Sequence, residues 1–269
     1  MAKVKDLDFI LLIPCYDNFT GLIESLNSVF YKNSNYLILI VDDGSKESIK
    51  LPTITSHLKH EKPIFILSNE KNLGITEALN KGLSWIERNT ISKYIARLDC
   101  GDICINNRFE QQVNFLDNHP EIGLIGSYCL FKDEKTGIRY TYKGPQHHKR
   151  ILKKMYFKNV FMHATVMFRT SLLKKVGYYP YEFEYAEDYA FFWRLTSVTQ
   201  TSVMDKILVV CKVNRTGISF KNRAKQLTAR RKVVTAFSDN RILKAVAFLK
   251  LKMLLILPKS VVLWVKGKR

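Results

Sequence analysis

Acidic residues are scarce in this chain: 24 Asp and Glu stand against 43 Lys and Arg, a formal net charge of +19 over 269 residues. That balance excludes an acidic, solvating disordered chain, and the 46% hydrophobic and 12% aromatic content calls for a packed interior. Cysteine is confined to positions 15, 100, 104, 129 and 211, an odd number without a Cys-x-x-Cys pair. A disulfide framework or structural zinc site is not expected, and a reducing cytosol is the natural compartment. Long apolar runs are lacking too. The run Phe9 to Ile13 stops at Pro14, too short for a signal-peptide core or a membrane span. Ile13-Pro14-Cys15-Tyr16-Asp17 holds no glycine, which removes the glycine-rich phosphate loop that nucleotidyl transfer needs near the N-terminus. There is no internal repeat and no low-complexity segment.

What is present alternates. Asp8 to Pro14, Tyr36 to Val41, Ile64 to Leu67 and Tyr94 to Leu98 are short aliphatic runs without polar alternation, as strands covered on both faces require. Between them, Leu22, Leu26, Val29 and Phe30 recur at helical spacing after Thr20. Ile75, Leu79, Leu83 and Ile86 do so before Arg88. Three successive β-α-β units predict a parallel, doubly wound sheet. Further on, a helix is expected over 106–118, strands over 122–131, 138–142, 161–169 and 207–213, and a helix over 186–198.

Two of the early strands end in acids, Asp42-Asp43 and Asp99-Cys100-Gly101-Asp102. Acids at the carboxyl ends of such strands lie where α/β sheets bind ligands. Bare carboxylates there need partners, and a hard cation that in turn holds a diphosphate is one solution. A turn built from Asp and Gly is the plainer one.

The charge is uneven. Residues 221–269 carry 14 Lys and Arg against one acid, Asp239, whereas the first 220 residues hold 29 against 23. From Ala224 the tail reads as helical, with Arg241, Lys244, Lys252, Lys259 and Lys266 within about 80° of one another, Lys250 across the helix and Trp264 near its end. Such a helix suits an anionic membrane interface over 240–269, while Pro258 and the lysines interrupt any span. A helix packed on the protein's own body is the alternative.

In order and spacing, several segments resemble the family 2 glycosyltransferases: Ile13 to Asp17, Val41-Asp42-Asp43-Gly44-Ser45, Asn72-x-Gly74 and Leu98 to Asp102. Asn107 to Gln112, Gly177-Tyr178-Tyr179, and Glu187-Asp188 with Phe191, Trp193 and Arg194 complete the set. The resemblance runs from about Phe9 to Ser219. It implies a GT-A fold in residues 1–220, an α/β Rossmann-like and mostly parallel sheet flanked by helices, with 221–269 as a basic helical extension. It further implies inverting transfer of a hexose from a nucleotide-diphosphate sugar, expected to be a UDP-sugar, to a lipid-linked saccharide. The setting would be O-antigen, capsule or lipopolysaccharide synthesis, on the cytoplasmic side of the cell membrane. By the family pattern Asp42 and Asp43 contact the donor's base and ribose. Pro14, Tyr16 and Asn72 line the nucleotide pocket, and Asp99 faces the donor sugar or ribose. Asp188 is the base, with Glu187 beside it. A Mn²⁺ or Mg²⁺ ion is implied, held by Asp99 and Asp102 with help from His163, because Gly101 occupies the third place of the usual Asp-x-Asp-Asp. The rival readings are a basic nucleic-acid- or membrane-binding α/β protein without catalysis and an inactive relative. Nucleic acid is not an expected partner, since the aromatics are not interleaved with the bases and the acid-tipped strands repel phosphates.

Overall fold

The computed structural model describes residues 4–133, 135–213 and 222–256. Strand β1 (Val4–Cys15), helix α1 (Phe19–Ser28), β2 (Tyr36–Asp42), a short α2 (Leu51–Thr55), β3 (Ile64–Ser68), α3 (Ile75–Asn89) and β4 (Thr90–Arg97) form the first half. The sequence pattern anticipates all of them except α2. Asn18, not Thr20, caps α1: its side-chain oxygen accepts the Gly21 N–H at 3.2 Å. Phe30, expected on the apolar face of that helix, lies beyond its end and is 61% exposed.

The second half comprises β5 (Ile103–Cys104), α4 (Arg108–Asn118), β6 (Ile122–Lys132), β7 (Arg139–Tyr142) and α5 (His148–Met155). It continues with β8 (Met167–Arg169), α6 (Leu173–Val176), α7 (Glu187–Val198), β9 (Gln200–Lys212), α8 (Arg223–Phe237) and α9 (Arg241–Ile256). One sheet runs in the order β3-β2-β1-β4-β8-β6-β9-β5, with β7 against β6. The four strands β3, β2, β1 and β4 are parallel, so their carboxyl ends share one edge. Beyond β4 the sheet is mixed: β8 is antiparallel to both β4 and β6, whereas β9 runs parallel to β6. The strand expected over 161–169 shrinks to Met167–Arg169, because His163–Thr165 folds into a 3₁₀ turn.

Two apolar layers cover the faces of the sheet. Leu22, Leu26, Ile38, Ile40, Phe109 and Leu116 belong to one, and Leu12, Val41, Leu79, Leu83, Phe168 and Phe191 to the other. The second layer does not stop at the end of β9. Ala229, Val233 and Val234 of α8 are buried within it, and Phe237 stacks on Trp193 with ring centroids 6.2 Å apart. Phe237 also lies 5.5 Å from Phe183. The basic stretch from 221 therefore opens with a helix that shares the core of the preceding residues. A Phe237→Ala variant is expected to lose about 2–4 kcal/mol in urea denaturation, toward the lower end for a buried Phe truncation. A loss below about 0.5 kcal/mol, the size of an ordinary surface substitution, would show that α8 is only loosely attached.

Candidate active site

At the shared strand edge the side chains first build the loops. Both Asp42 and Asp43 are buried. Asp42 accepts the N–H groups of Ser45 at 3.0 Å and Ile49 at 3.1 Å, closing its own turn. Asp43 reaches the next loop, accepting from Asn69 Nδ2 at 2.7 Å, Leu73 N at 3.1 Å and Gly74 N at 2.9 Å. The two loops meet so closely that a Cβ on Gly44, whose φ is +73°, would stand 2.2 Å from the Lys71 carbonyl carbon. Asp42 and Asp43, expected to contact the donor, accept hydrogen bonds from loops 42–49 and 69–74, from backbone N–H groups and, for Asp43, from the Asn69 side chain. They hold the wall of the crevice at this edge in place. Asn72 sits exposed on that wall, Tyr16 is 46% exposed beside it, and Pro14 is buried in β1.

Arg97 organises the next strand tip. It is fully buried in β4, and its guanidinium donates to the carbonyls of Leu12 and Leu98 and, at 2.8 Å, to Asp99 Oδ1. Its Nε–H donates to His163 Nε2 at 3.2 Å. A second buried guanidinium, Arg108, donates to the carbonyl of Arg97 at 2.8 Å and to Gln112 Oε1 at 2.8 Å, while Gln112 Nε2 donates to the Thr165 carbonyl at 2.8 Å. The Asn107-to-Gln112 segment is thereby explained as a clamp on the turn that carries His163. Asp99 keeps its side chain 45% exposed toward the crevice.

The expected cation ligands divide. Asp102 is almost buried, its Oδ1 accepting the Lys212 N–H of β9 at 3.0 Å. Burial, then the nearby charge of Asp99, pushes its carboxyl up to about 7. Two acids that repel each other in this way fit a divalent ion, which would relieve the repulsion while taking most of its oxygens from a diphosphate. His163 does not join them. Its Nε2 faces the Arg97 donor and, at 2.8 Å, the Tyr179 hydroxyl, and burial followed by the Arg97 charge lowers its pKa to about 3. Among the described residues no three His, Cys, Asp or Glu side chains are grouped as a metal site. Gly101 lies between the two acids with φ +103°, a conformation side chains rarely adopt.

Across the crevice, Glu187 and Asp188 open α7. Asp188 accepts the Tyr189 N–H at 2.6 Å and the Asn159 side-chain N–H at 2.9 Å. Burial raises both acids, Glu187 to about 7, and the charge of Asp99 adds to each. The structure thus brings Asp99, Glu187 and Asp188 within one electrostatic neighbourhood, with Asp43 two strands away on the same edge. Arg108 and Tyr179 fall in segments that carry the family resemblance, without a role of their own there, and Arg97 and Asn159 stand outside them. Arg97 leaves one local signal, a charge in the middle of the apolar run Tyr94 to Leu98.

An acid-lined crevice at the carboxyl edge of parallel strands, closed by a mixed second half, defines a GT-A-type α/β fold. A model of the Glycosyl transferase family 2 matches residues 10–177, and the chain belongs to that family; it is a glycosyltransferase. The amylovoran biosynthesis glycosyltransferase AmsE of Erwinia amylovora is 32% identical over 195 residues, 71% of this chain and 70% of AmsE. An uncharacterized glycosyltransferase of Methanocaldococcus jannaschii is 31% identical over 58% of this chain, which spans 52% of that relative. Among solved structures, S. aureus TarS in complex with UDP-GlcNAc has a TM-score of 0.68 at 16% identity, covering 90% of this chain and 72% of that one. The mannosyltransferase PcManGT of Pyrobaculum calidifontis, in complex with GDP-Man and Mn²⁺, has a TM-score of 0.63 at 15% identity, covering 90% and 69%. At such identities these two structures speak for the fold alone.

The backbone at Gly101 yields a prediction. Gly101→Asp, which restores the family's usual acid in letters, is expected to cost about 1–3 kcal/mol in thermal unfolding. It should leave Mn²⁺ affinity unimproved. A stable variant with tighter Mn²⁺ binding by calorimetry would overturn this account of the loop.

Proposed function

We propose that this glycosyltransferase moves a hexose from a UDP-sugar to a hydroxyl of a lipid-linked saccharide, with inversion, in the synthesis of O-antigen, capsule or lipopolysaccharide. The observation that carries the reading is the placement of Asp188: a half-buried carboxylate at the start of α7, within the electrostatic reach of Asp99 across the crevice. The donor class draws support from the UDP-GlcNAc complex of TarS, and the surface-polysaccharide setting from the name of AmsE.

In this mechanism the acceptor oxygen attacks the anomeric carbon as its proton passes to a carboxylate oxygen of Asp188. The bond from that carbon to the donor diphosphate breaks, and its electron pair leaves with the nucleotide. Inversion requires base and leaving group on opposite faces of the sugar, the logic that also separates the two carboxyls of inverting glycosidases. Pro14, Tyr16 and Asn72 form the nucleotide wall, with Asp42 and Asp43 fixing its loops. Asp99, oriented by Arg97, meets the ribose or donor sugar, and Glu187 supports the acceptor side. Asp99 and Asp102 are the residues that would hold Mn²⁺ or Mg²⁺, which supplies a Lewis acid for the charge on the departing diphosphate. Asp188→Asn is expected to leave donor binding near normal and to lower turnover by about 10²–10⁴. A screen of nucleotide sugars, read by released nucleotide, tests both points, and near-wild-type turnover would remove the base assignment.

The place of action follows from residues 240–269, which we propose rest on the inner face of the cell membrane. In α9, Ile242, Val246, Leu249, Met253 and Ile256 are all at least 49% exposed, whereas Ala247 and Leu251 are buried. At 100° per residue the five span about 80°, with Lys250 and Lys252 about 80° to either side. An apolar stripe between cations suits acyl boundary and headgroups, each base near an anionic leaflet contributing about 1 kcal/mol. Among the described residues no helix is long and apolar enough to cross a membrane. Lys259, Trp264 and Lys266, the remainder of the expected basic helix, and Pro258 lie outside the described residues. Leu249→Glu with Met253→Glu should abolish co-sedimentation with phosphatidylserine-containing vesicles; undiminished binding would count against the membrane reading.

A further inference from the structure

Helix α8 belongs to the basic stretch that the sequence assigns to a membrane, yet its packing leads into the crevice. Phe237 stacks on Trp193 of α7. Arg230 precedes Phe237 by seven residues, two helical turns, and so lies on the same side of α8. Asp188 and Tyr189 precede Trp193 by about one turn on α7, and Lys225, upstream on α8, donates to the Tyr185 hydroxyl just before α7 at 3.3 Å. The two helices therefore run the same way, and Arg230 falls level with Asp188 and Tyr189. Leu227, Val233 and Val234 are buried around Arg230, which is itself partly buried. The end of α8 is tied down as well: the Tyr156 hydroxyl donates to Asp239 Oδ1 at 2.6 Å and accepts the Asn240 N–H at 3.2 Å.

We propose that Arg230 is a positioning residue for the transfer: α8 turns its guanidinium toward the Asp188 carboxylate and makes it the counter-charge of the base. The inference rests on the reading of Asp188 as that base and extends it by saying why Asp188, rather than its neighbour, holds the role. Two adjacent, half-buried acids cannot both ionise cheaply. The charges acting most strongly on Glu187 are those of Asp188, Asp99 and Glu184, all negative, and they hold its proton on. Asp188 feels Arg230, which lowers its pKa against burial and Asp99 and also acts on Tyr142 and Tyr189. A cation on one side of the pair favours the charged form of Asp188 over that of Glu187. The groups facing Asp188 are Arg230 from α8, Asp99 beyond β4, Asn159 beyond α5, Tyr142 of β7, Tyr179 before α7, and Glu187 and Tyr189 on its own helix.

The test is a ¹³C NMR titration of the Asp188 carboxyl in the full chain, assigned by its loss in Asp188→Asn. Wild type is compared with Arg230→Lys, Arg230→Gln and Arg230→Met, the last keeping an apolar stem for packing. The Asp188 midpoint should rise by a pH unit or more in the Gln and Met variants, a tenfold gain in proton affinity. It should stay near wild type in Arg230→Lys, with melting temperatures little changed. Unmoved midpoints in Gln and Met, or the same shift in all three, would overturn the proposal. Hydrolysis of UDP-glucose, UDP-galactose and UDP-GlcNAc by Asp188→Asn is measured in parallel. Wild-type rates there would sink the base reading while leaving the titration result to stand on its own.

Discussion

The guanidinium of Arg97 sits fully buried where β4 ends, and the site is arranged around it. It ties the Leu12 carbonyl of β1 to the tip of β4 and fixes one oxygen of Asp99. Through His163 it also reaches the Tyr179 hydroxyl on the segment leading into α7. A buried cation is tolerable only when its donors are used, and removing one partner of such an arrangement costs several kcal/mol. Here the partners come from the parallel half of the sheet and from the mixed half. The same requirement that stabilises Arg97 therefore sets donor-side and acceptor-side walls against each other. His163, whose pKa burial and then this cation lower, links Arg97 to Tyr179 in that chain of contacts.

The acids divide by the partners of their carboxylates. Asp42 and Asp43 lie beneath backbone N–H groups and, for Asp43, the Asn69 amide. Asp99 emerges half-exposed because Arg97 satisfies only one of its oxygens. Glu187 and Asp188 stand at a helix N-terminus, where the dipole favours negative charge, yet burial and mutual repulsion push the other way. On the proposed reading, that opposition is what suits the pair to accept a proton.

The C-terminal stretch serves two ends in this reading. Helix α8 closes the apolar layer over α7, and α9 turns an apolar stripe flanked by lysines to the outside. Linking the two within one short connection would place the crevice at a fixed height above a membrane that supplies a lipid-linked acceptor.

Much of this could be read directly. The apolar runs of β1 and β2 announce strands covered on both faces, whereas the edge strand β3 stays half-open with Phe65 exposed, and the acids after β2 and β4 mark the ligand edge. The ordered motifs point to the family before any contact is known. Helical spacing likewise gives α3, α4 and α7, because period and burial face are local properties of the chain. What local pattern does not contain is which partner each polar group will meet. Asp43 and Asp99 look alike in sequence, and only the crossing of loops 42–49 and 69–74 turns the first into a structural brace. Arg230 is one basic residue among many in the tail until α8 packs beside α7 and sets it against Asp188. Sequence fixes the kinds of group available along each element; distance and burial, which decide their charges and roles, arise only when elements far apart in the chain are packed together.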